Sequence, residues 1–170
     1  MKIRSETGAD RDAIWKVNAE AFGDQEAADL VDTIRATDRF IPALSLVAER
    51  DSEIIGHAML SWVDIEPGPH RILQLGPLAV KPVHQRQGVG SALMNEAIRL
   101  AEERKEPMIL IEGDPRYYGR FGFARADESG IEPPEGAHGP QYFMMRPLSS
   151  YDPALRGRAI YPPETFGTVS

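Results

Sequence analysis

A short glycine-containing segment has the residue types best suited to binding a ligand. It comprises Gln85, Arg86, Gln87, Gly88, Val89, Gly90 and Ser91. Glycines allow a backbone to turn tightly and to approach a ligand without interference from a Cβ atom. A predicted helix follows, and the first turn of a helix presents about four unpaired N–H groups and a partial positive charge. The segment therefore suits an anion such as phosphate, for which Arg86 would supply a mobile cation.

Two well-known phosphate loops are excluded at this segment. A nucleotide P-loop requires a Gly-Lys-Ser/Thr triplet, and none follows Gly90. A dinucleotide fingerprint requires a third glycine at position 93, which is Leu93 here. The glycine spacing alone also fits an ordinary strand, turn and helix that bind nothing.

Two apolar strands and an amphipathic helix are predicted to position this segment. Leu75–Val80 has the pattern of a short buried strand before the turn, and Met108–Ile111 that of a second strand. Between them, apolar side chains recur on one helical face at Leu93, Ala97, Leu100 and Ala101. This order predicts a βαβ unit with parallel strands and a right-handed connection.

Further helices and strands are predicted on both sides of this unit. Upstream, the pattern indicates strands at Lys2–Arg4, Leu44–Glu49 and Ile54–Val63, and helices at Thr7–Gly23 and Asp24–Thr37. Gly56, inside a strand, indicates a bulge or a close approach of another element. Downstream, the pattern indicates a short helix at Arg116–Arg120, a loop at 127–141 and a strand at Gln141–Leu148. The loop could be a substrate flap or a long hairpin connection.

At these residues the chain resembles the GNAT superfamily of acyl-CoA-dependent N-acetyltransferases. Gln85–Gly90 matches the superfamily's pyrophosphate signature, Gln/Arg-x-x-Gly-x-Gly/Ala, at every fixed position. Tyr118–Phe123 matches its Tyr-x-x-x-Gly-Phe segment, in the family's order. The resemblance covers Lys2–Leu148. It implies an α/β acyl-CoA N-acyltransferase (GNAT-like) fold, with a mixed central sheet whose parallel strands splay apart and which helices flank.

The resemblance also implies a reaction and a set of binding residues. Acetyl-CoA would donate an acetyl group directly to an amine on a small molecule or a peptide. The segment from Gln85 to Ser91 would hold the pyrophosphate of coenzyme A. The backbone of Leu78, Ala79 and Val80 would hydrogen-bond the pantetheine arm, which lies between the splayed strands as an additional strand.

Tyr118 occupies the position of the family's general acid. When an amine attacks the thioester, negative charge collects on the departing sulfur, which a nearby hydroxyl can stabilise. A tyrosine has a pKa of about 10 and a thiol of about 8.5, so a hydrogen bond is more reasonable than full proton transfer. Tyr118 could instead be a packing residue, with Tyr117 as a rival. For the general base, Glu112 is the first candidate, followed by Glu66 and Glu20.

Composition narrows the partners and the location. Residues 1–80 hold 14 acidic and 8 basic residues, which is compatible with an amine acceptor and unfavourable for nucleic acid. The absence of cysteine excludes disulfides and thiolate metal sites, and the four histidines have no metal-ligand spacing, so no metal is expected. No apolar run is long enough for a membrane span and no signal peptide is evident, which predicts a cytoplasmic protein without a membrane partner.

A length of 170 residues predicts one domain, here residues 1–150, followed by a tail at 151–170. The tail contains Tyr161, Pro162, Pro163 and Phe166, which suggest packing on the domain or on a partner chain. Dimers are common in the superfamily, so the resemblance is compatible with a homodimer, but the sequence does not decide the oligomeric state. The alternative to an enzyme is a non-catalytic acyl-CoA-binding sensor or interaction domain.

Overall fold

The computed structural model describes residues 1–68 and 70–163, and the chain forms two compact units. Of these residues, the first unit contains 1–61 and 76–99, and the second contains 62–68, 70–75 and 100–163. Predicted Phe166 lies outside the described residues.

The first unit contains an antiparallel hairpin with a flanking strand on each side. Its strands are β1 (Lys2–Ser5), β2 (Phe40–Arg50), and those parts of β3 (Glu53–Glu66) and β4 (His70–Val80) that belong to it. Their order is β1-β2-β3-β4, and β2 is antiparallel to both β1 and β3. The hairpin turns at Asp51 and Ser52, whose φ angles of 51° and 63° are typical of a two-residue I′ turn. The strands predicted here are confirmed, although β2 and β3 are both longer than the sequence indicated.

Three helices belong wholly or largely to the first unit. They are α1 (Arg11–Phe22), α2 (Glu26–Arg35) and α3 (Val89–Glu103), of which residues to Arg99 lie in this unit. Helix α1 ends at Gly23, which has a φ of 72° and donates its N–H to the Ala19 carbonyl at 2.9 Å. A left-handed glycine is a common helix terminator, so α1 stops where the sequence predicted.

Gly56 allows α3 to pack directly on β3. A Cβ atom at Gly56 would lie 3.0 Å from side-chain carbons of both Val89 and Leu93 and 3.3 Å from the Ala79 carbonyl oxygen. The ladder with β2 also skips a residue here, from Ala48↔Gly56 to Glu49↔Ile54. The predicted bulge and close approach are therefore both present, and together they fix the first turn of α3 against the sheet.

The helix begins earlier than the sequence indicated. The segment Gln85–Ser91 was expected to be a turn, but Val89, Gly90 and Ser91 are the first residues of α3. Gly88 accounts for the difference, because its φ of 84° already completes the change of direction.

The second unit contains the parallel strand pair. Its elements are β5 (Met108–Glu112), α4 (Pro115–Tyr118), β6 (Ala124–Arg125), β7 (Ile131–Glu132), β8 (Phe143–Pro147) and β9 (Gly157–Ile160), with the remaining parts of β3 and β4. The strand order is β3-β4-β5-β8-β6, and β9 pairs with β3 and β7. β4 and β5 are parallel, as predicted, whereas β8 is antiparallel to β5. The sheet is therefore mixed.

The predicted loop at 127–141 contains ordered structure. A 3₁₀ turn at Asp127–Ser129 leads into β7, whose Ile131 and Glu132 run parallel to Gly157 and Arg158 of β9. β9 is also antiparallel to β3, from Asp64↔Ile160 to Glu66↔Arg158. Beyond it, the Tyr161 ring lies against Phe143 with 6.5 Å between centroids. The described part of the tail thus packs on the second unit.

A buried polar chain runs through the first unit. The Arg35 guanidinium makes two hydrogen bonds of 2.8 and 2.9 Å to the Glu6 carboxylate, which also accepts the Ser45 hydroxyl. Ser45 Oγ lies 3.0 Å from His57 Nε2, and the Asn18 amide nitrogen lies 3.1 Å from His57 Nδ1. Since the Asn18 amide donates, Nδ1 accepts and the proton sits on Nε2. His57 is therefore a buried neutral imidazole.

We expect His57 to make folding less favourable in mild acid. Burial, with a smaller effect of the Arg35 charge, lowers the pKa of His57 from 6.5 to about 3. Between pH 6.5 and about 3, His57 is protonated in the unfolded chain and neutral in the folded chain. The free energy of unfolding therefore falls as the pH falls. One such group accounts for up to about 1.4 kcal/mol of unfolding free energy per pH unit. Urea unfolding at pH 7, 6 and 5 measures this slope.

The slope should be smaller in His57→Gln, whatever that variant's stability at pH 7. His70→Gln is the matched control, because it makes the same replacement at an exposed histidine. Equal slopes in His57→Gln and in the unaltered protein would contradict the assignment of His57 as a buried neutral group.

Candidate functional site

The segment between β4 and α3 is held together by its own side chains. Lys81 donates its N–H to the Ile55 carbonyl at 2.9 Å, where β4 ends. The side-chain amides of Gln85 and Gln87 each donate at 3.1 Å to a backbone carbonyl of the same segment, Val80 and Val83 respectively. Arg50 donates to Gln87 Oε1 at 2.9 Å. The side chains of Gln85 and Gln87 therefore hold the segment in shape. An anion would be bound by backbone N–H groups of the segment rather than by these two side chains.

The start of α3 is open. Two residues of the segment have positive φ, Arg86 at 60° and Gly88 at 84°. A Cβ atom at Gly88 would meet no atom within 4 Å. The Ala92 N–H donates to the Gly88 carbonyl at 3.0 Å, which is the first hydrogen bond of the helical pattern. The N–H groups of Val89, Gly90 and Ser91 precede it and have no acceptor within the helix. Among the described residues, no ion pair involves Arg86. Free N–H groups and a free cation thus lie together in sequence at this helix start.

The end of β4 supplies backbone of the kind the sequence predicted. β4 pairs with β5 at Leu73↔Ile109 and Gln74↔Leu110, and then continues to Val80. The two strands are thus paired at only two residue positions, as expected if they splay apart beyond Gln74. Ala79 is buried, whereas Leu78 and Val80 are partly exposed.

Tyr118 lies in the second unit, at the end of α4. The helix is capped by Asp114, whose carboxylate accepts the Arg116 N–H at 2.9 Å, and Pro115 occupies its first turn. The Tyr118 ring packs edge-on against Tyr117 and Phe123, with centroids 4.9 and 6.1 Å away. Its position therefore follows from a helix cap and aromatic packing.

The chemistry of Tyr118 follows from its burial. Burial, with a smaller contribution from Tyr117, raises the pKa of the Tyr118 phenol to about 12. The phenol therefore stays protonated at neutral pH. No hydrogen bond joins its hydroxyl to another residue within the described chain, so its proton is available for donation. A neutral donor of this kind can stabilise a developing anion.

A glycine makes room for the Tyr118 ring. A Cβ atom at Gly113 would lie 2.3 Å from Tyr118 Cε2, which is far inside van der Waals contact. Gly113 directly follows Glu112, the last residue of β5. Glu112 and Tyr118 are thus connected through one short turn.

Glu112 is the centre of a polar cluster that the sequence did not reveal. Its Oε1 accepts two hydrogen bonds from His138, from the backbone N–H at 2.8 Å and from Nδ1 at 2.7 Å. Its Oε2 accepts the Tyr161 hydroxyl at 3.2 Å, and that hydroxyl oxygen accepts the Gln74 amide at 2.7 Å. These residues are 26 to 87 positions apart, so no local spacing could have indicated the cluster. Glu66 and Glu20, the other predicted bases, are exposed.

The predicted site residues fall into both units. Leu78–Val80 and Gln85–Ser91 belong to the first unit, and Tyr118 and Glu112 to the second. Within residues 1–68 and 70–163, no group of His, Asp and Glu side chains is placed to hold a metal ion. Nor is any helix in that part of the chain both long and apolar enough to cross a bilayer.

Comparison with known proteins decides the family. A model of the acetyltransferase (GNAT) family matches residues 11–123. The chain belongs to this family. The match contains α1, α2 and α3, the glycine segment and Tyr118, so it covers every residue that carried the resemblance in the sequence.

Relatives and solved structures agree with this assignment. The chain is 32% identical to the uncharacterized N-acetyltransferase YjhQ of Escherichia coli K12 over 68% of this chain and 65% of that protein, which is just under two thirds of its length. The crystal structure of the GNAT family N-acetyltransferase YhbS of Escherichia coli, in complex with CoA, matches with a TM-score of 0.87 at 26% identity over 96% of this chain and 90% of that one. A GNAT family acetyltransferase of Brucella melitensis, in complex with acetyl-CoA, matches with a TM-score of 0.78 at 28% identity over 96% of both chains.

These findings confirm the α/β acyl-CoA N-acyltransferase fold, with its mixed sheet flanked by helices. They also make the chain an acyl-CoA-dependent N-acetyltransferase, as the sequence motifs predicted.

Replacing Gly113 by alanine should displace the Tyr118 ring. The added Cβ cannot fit at 2.3 Å, so we expect a loss of unfolding free energy of about 1 to 3 kcal/mol, as for other overpacked sites. Urea unfolding measures the loss, and near-ultraviolet circular dichroism reports the change around the ring.

Gly119→Ala is the matched control, because Gly119 is near in sequence and a Cβ atom there meets nothing within 4 Å. That variant should be as stable as the unaltered protein or more stable by up to about 1 kcal/mol. Equal stability of the Gly113 and Gly119 variants would show that the ring does not rest on Gly113.

Proposed function

We propose that this chain transfers an acetyl group from acetyl-CoA directly to an amine, with no covalent enzyme intermediate. The observation that carries the proposal is the open start of α3, where free amides, the Arg86 cation and the space beside Gly88 coincide. The relatives in complex with CoA and acetyl-CoA support the choice of donor.

The residues present fit the parts of acetyl-CoA. The pyrophosphate is a double anion, which suits the N–H groups of Val89, Gly90 and Ser91 together with the Arg86 guanidinium. The pantetheine arm carries amides, which suit the backbone of Leu78–Val80 beyond the short parallel ladder. Acetyl-CoA supplies a thioester whose carbonyl carbon an amine can attack. The residues of this chain bind the donor and stabilise the charge that the attack produces.

Tyr118 is the group that we assign to the leaving sulfur. With a pKa of about 12, its phenol is a weaker acid than a thiol, so it donates a hydrogen bond to the thiolate and keeps its proton. Hydrogen bonds to ionised groups in sites with little water are strong, and the bond forms only as the charge develops.

The acceptor is an amine, on a small molecule or a peptide. The acidic balance of residues 1–80 supports a cationic acceptor and disfavours nucleic acid. The cytoplasmic location, the homodimer and the boundary between a 1–150 domain and its tail stay predictions from the sequence.

Filling the space beside Gly88 should abolish binding of acetyl-CoA. Gly88→Trp places a ring over the start of α3 and forces a side chain into a left-handed backbone. Loss of two charge-assisted hydrogen bonds would weaken binding by roughly 100-fold or more in calorimetric titration with acetyl-CoA. The unaltered protein should bind saturably.

Gly23→Trp is the matched control, because Gly23 also has a positive φ, 72°, and open space around it. That variant should keep the affinity of the unaltered protein. A folded, unaltered protein that does not bind acetyl-CoA would overturn the proposed function.

Tyr118→Phe should separate catalysis from binding. We expect unchanged affinity for acetyl-CoA and a fall in acetyl transfer of roughly 100-fold or more, since the variant lacks only the hydroxyl. Transfer can be followed by titrating the released CoA thiol, because the protein has no cysteine of its own to react. Binding without transfer by the unaltered protein, over a broad set of amines, would instead support the acyl-CoA sensor.

A further inference from the structure

The hydrogen bonds around Glu112 decide what its carboxylate can do. Three donors reach it: the His138 N–H at 2.8 Å, His138 Nδ1 at 2.7 Å and the Tyr161 hydroxyl at 3.2 Å. Two of the three share Oε1, and the side chain retains 19% of its exposure. A carboxylate that already accepts three hydrogen bonds offers little room to an incoming proton. Glu112 is therefore better placed to hold another residue than to act as a base.

His138 is the residue that Glu112 holds. An ionised carboxylate only accepts hydrogen bonds, so the contact at 2.7 Å places a proton on His138 Nδ1. In the neutral ring the lone pair then lies on Nε2. The His138 side chain is 66% exposed, and within the described chain no residue hydrogen-bonds Nε2. Nε2 is thus an accessible hydrogen-bond acceptor. The His138 ring is held in place because both its Nδ1 and the His138 backbone N–H bond Glu112.

The cluster lies close in the chain and in space to the proposed acid. Glu112 is followed by Gly113, against which the Tyr118 ring packs. Gly113 in turn donates its N–H to the Tyr142 carbonyl at 2.9 Å, which ties the turn to the segment just after His138. The turn at Gly113 therefore contacts the Tyr118 ring and is hydrogen-bonded to the segment that follows His138, all within the second unit.

We infer that Glu112 and His138 form a dyad in which His138 Nε2 is the general base for the amine and Glu112 is its positioning residue. This inference rests on the proposed function, because it assigns a base to that reaction. The arrangement, a carboxylate on Nδ1 and a free Nε2, is one that orients an imidazole for proton transfer. Tyr161 and Gln74 extend the hold on Glu112 from the other side.

The proton transfers balance as follows. The nitrogen of a neutral amine forms a bond to the thioester carbonyl carbon, and the bond from that carbon to sulfur breaks with its electron pair going to sulfur. The amine proton passes to His138 Nε2, which makes an imidazolium that the Glu112 carboxylate stabilises. The imidazolium returns its proton to solvent. The thiolate, hydrogen-bonded by Tyr118, takes a proton from solvent and leaves as the CoA thiol.

The first test compares histidine variants in acetyl transfer. The probes are phenethylamine, spermidine and trialanine, which represent three amine classes, and rates are measured on the best acceptor among them. His138→Ala should lose roughly 100-fold or more in kcat/KM and keep its affinity for acetyl-CoA. His70→Ala, which removes another exposed histidine of the second unit, should transfer at the unaltered rate.

Chemical rescue distinguishes a base from a structural residue. Free imidazole can occupy the space that His138→Ala leaves and take the proton, so it should restore at least 10-fold of the lost rate. It should not restore Tyr118→Phe, whose histidine is intact. A His138→Ala variant that transfers within twofold of the unaltered protein, or that imidazole does not rescue, would overturn the dyad.

Nitrogen-15 NMR tests the geometry without any acceptor. The His138 resonances, identified by their loss in His138→Ala, should show a proton on Nδ1 in the unaltered protein. In Glu112→Gln the ring should lose this fixed tautomer, while the tautomer of the buried His57 should not change. A proton on Nε2 of His138 in the unaltered protein would overturn the inference.

The failures of the two proposals differ in their results. Absence of acetyl-CoA binding by the unaltered protein would refute the proposed function. Acetyl transfer by the unaltered protein that His138→Ala retains within twofold would refute the dyad and leave the proposed function standing.

Discussion

The unpaired amides at the start of α3 are the physical feature on which the proposed donor site depends. A helix cannot satisfy its first N–H groups internally, and Gly88 brings the chain into the helix without a side chain above them. Gly56 lets Val89 and Leu93 pack on β3 and so holds these amides in place. The glutamines of the segment, Gln85 and Gln87, serve the same end by bonding backbone carbonyls. In this region the side chains mainly hold the main chain in position, and the main-chain N–H groups are the hydrogen-bond donors offered to a ligand.

The part of the fold that the sequence predicted is the part that local rules govern. Glycines with positive φ end α1 at Gly23 and start α3 at Gly88, and the apolar run at Met108–Ile111 becomes a parallel strand. Each of these outcomes depends on a few neighbouring residues, so the pattern of those residues is sufficient. The same holds for Tyr118, whose helix is capped by Asp114 and Pro115 only a few positions away.

The polar clusters could not be predicted in this way, because their members meet only through tertiary structure. Gln74 and Tyr161 are 87 positions apart, and Glu6 and Arg35 are 29 apart. The sequence shows their residue types without showing which of them pair. From its place at the end of a strand, Glu112 was the first candidate for the base. The three hydrogen bonds that it accepts favour instead a role in positioning His138.

The position of β9 gives the second unit an order of assembly. Chains leave the ribosome from the N-terminus, so β3, Glu112 and His138 emerge before the strand that pairs with β3 and β7. Until β9 is synthesised, the part of β3 that pairs with it has a free edge. Another chain can form hydrogen bonds to such an edge. Tyr161 follows β9 directly and lies 49 positions after Glu112. The step that closes the edge of the nascent sheet is therefore also the step that adds the last donor to the carboxylate.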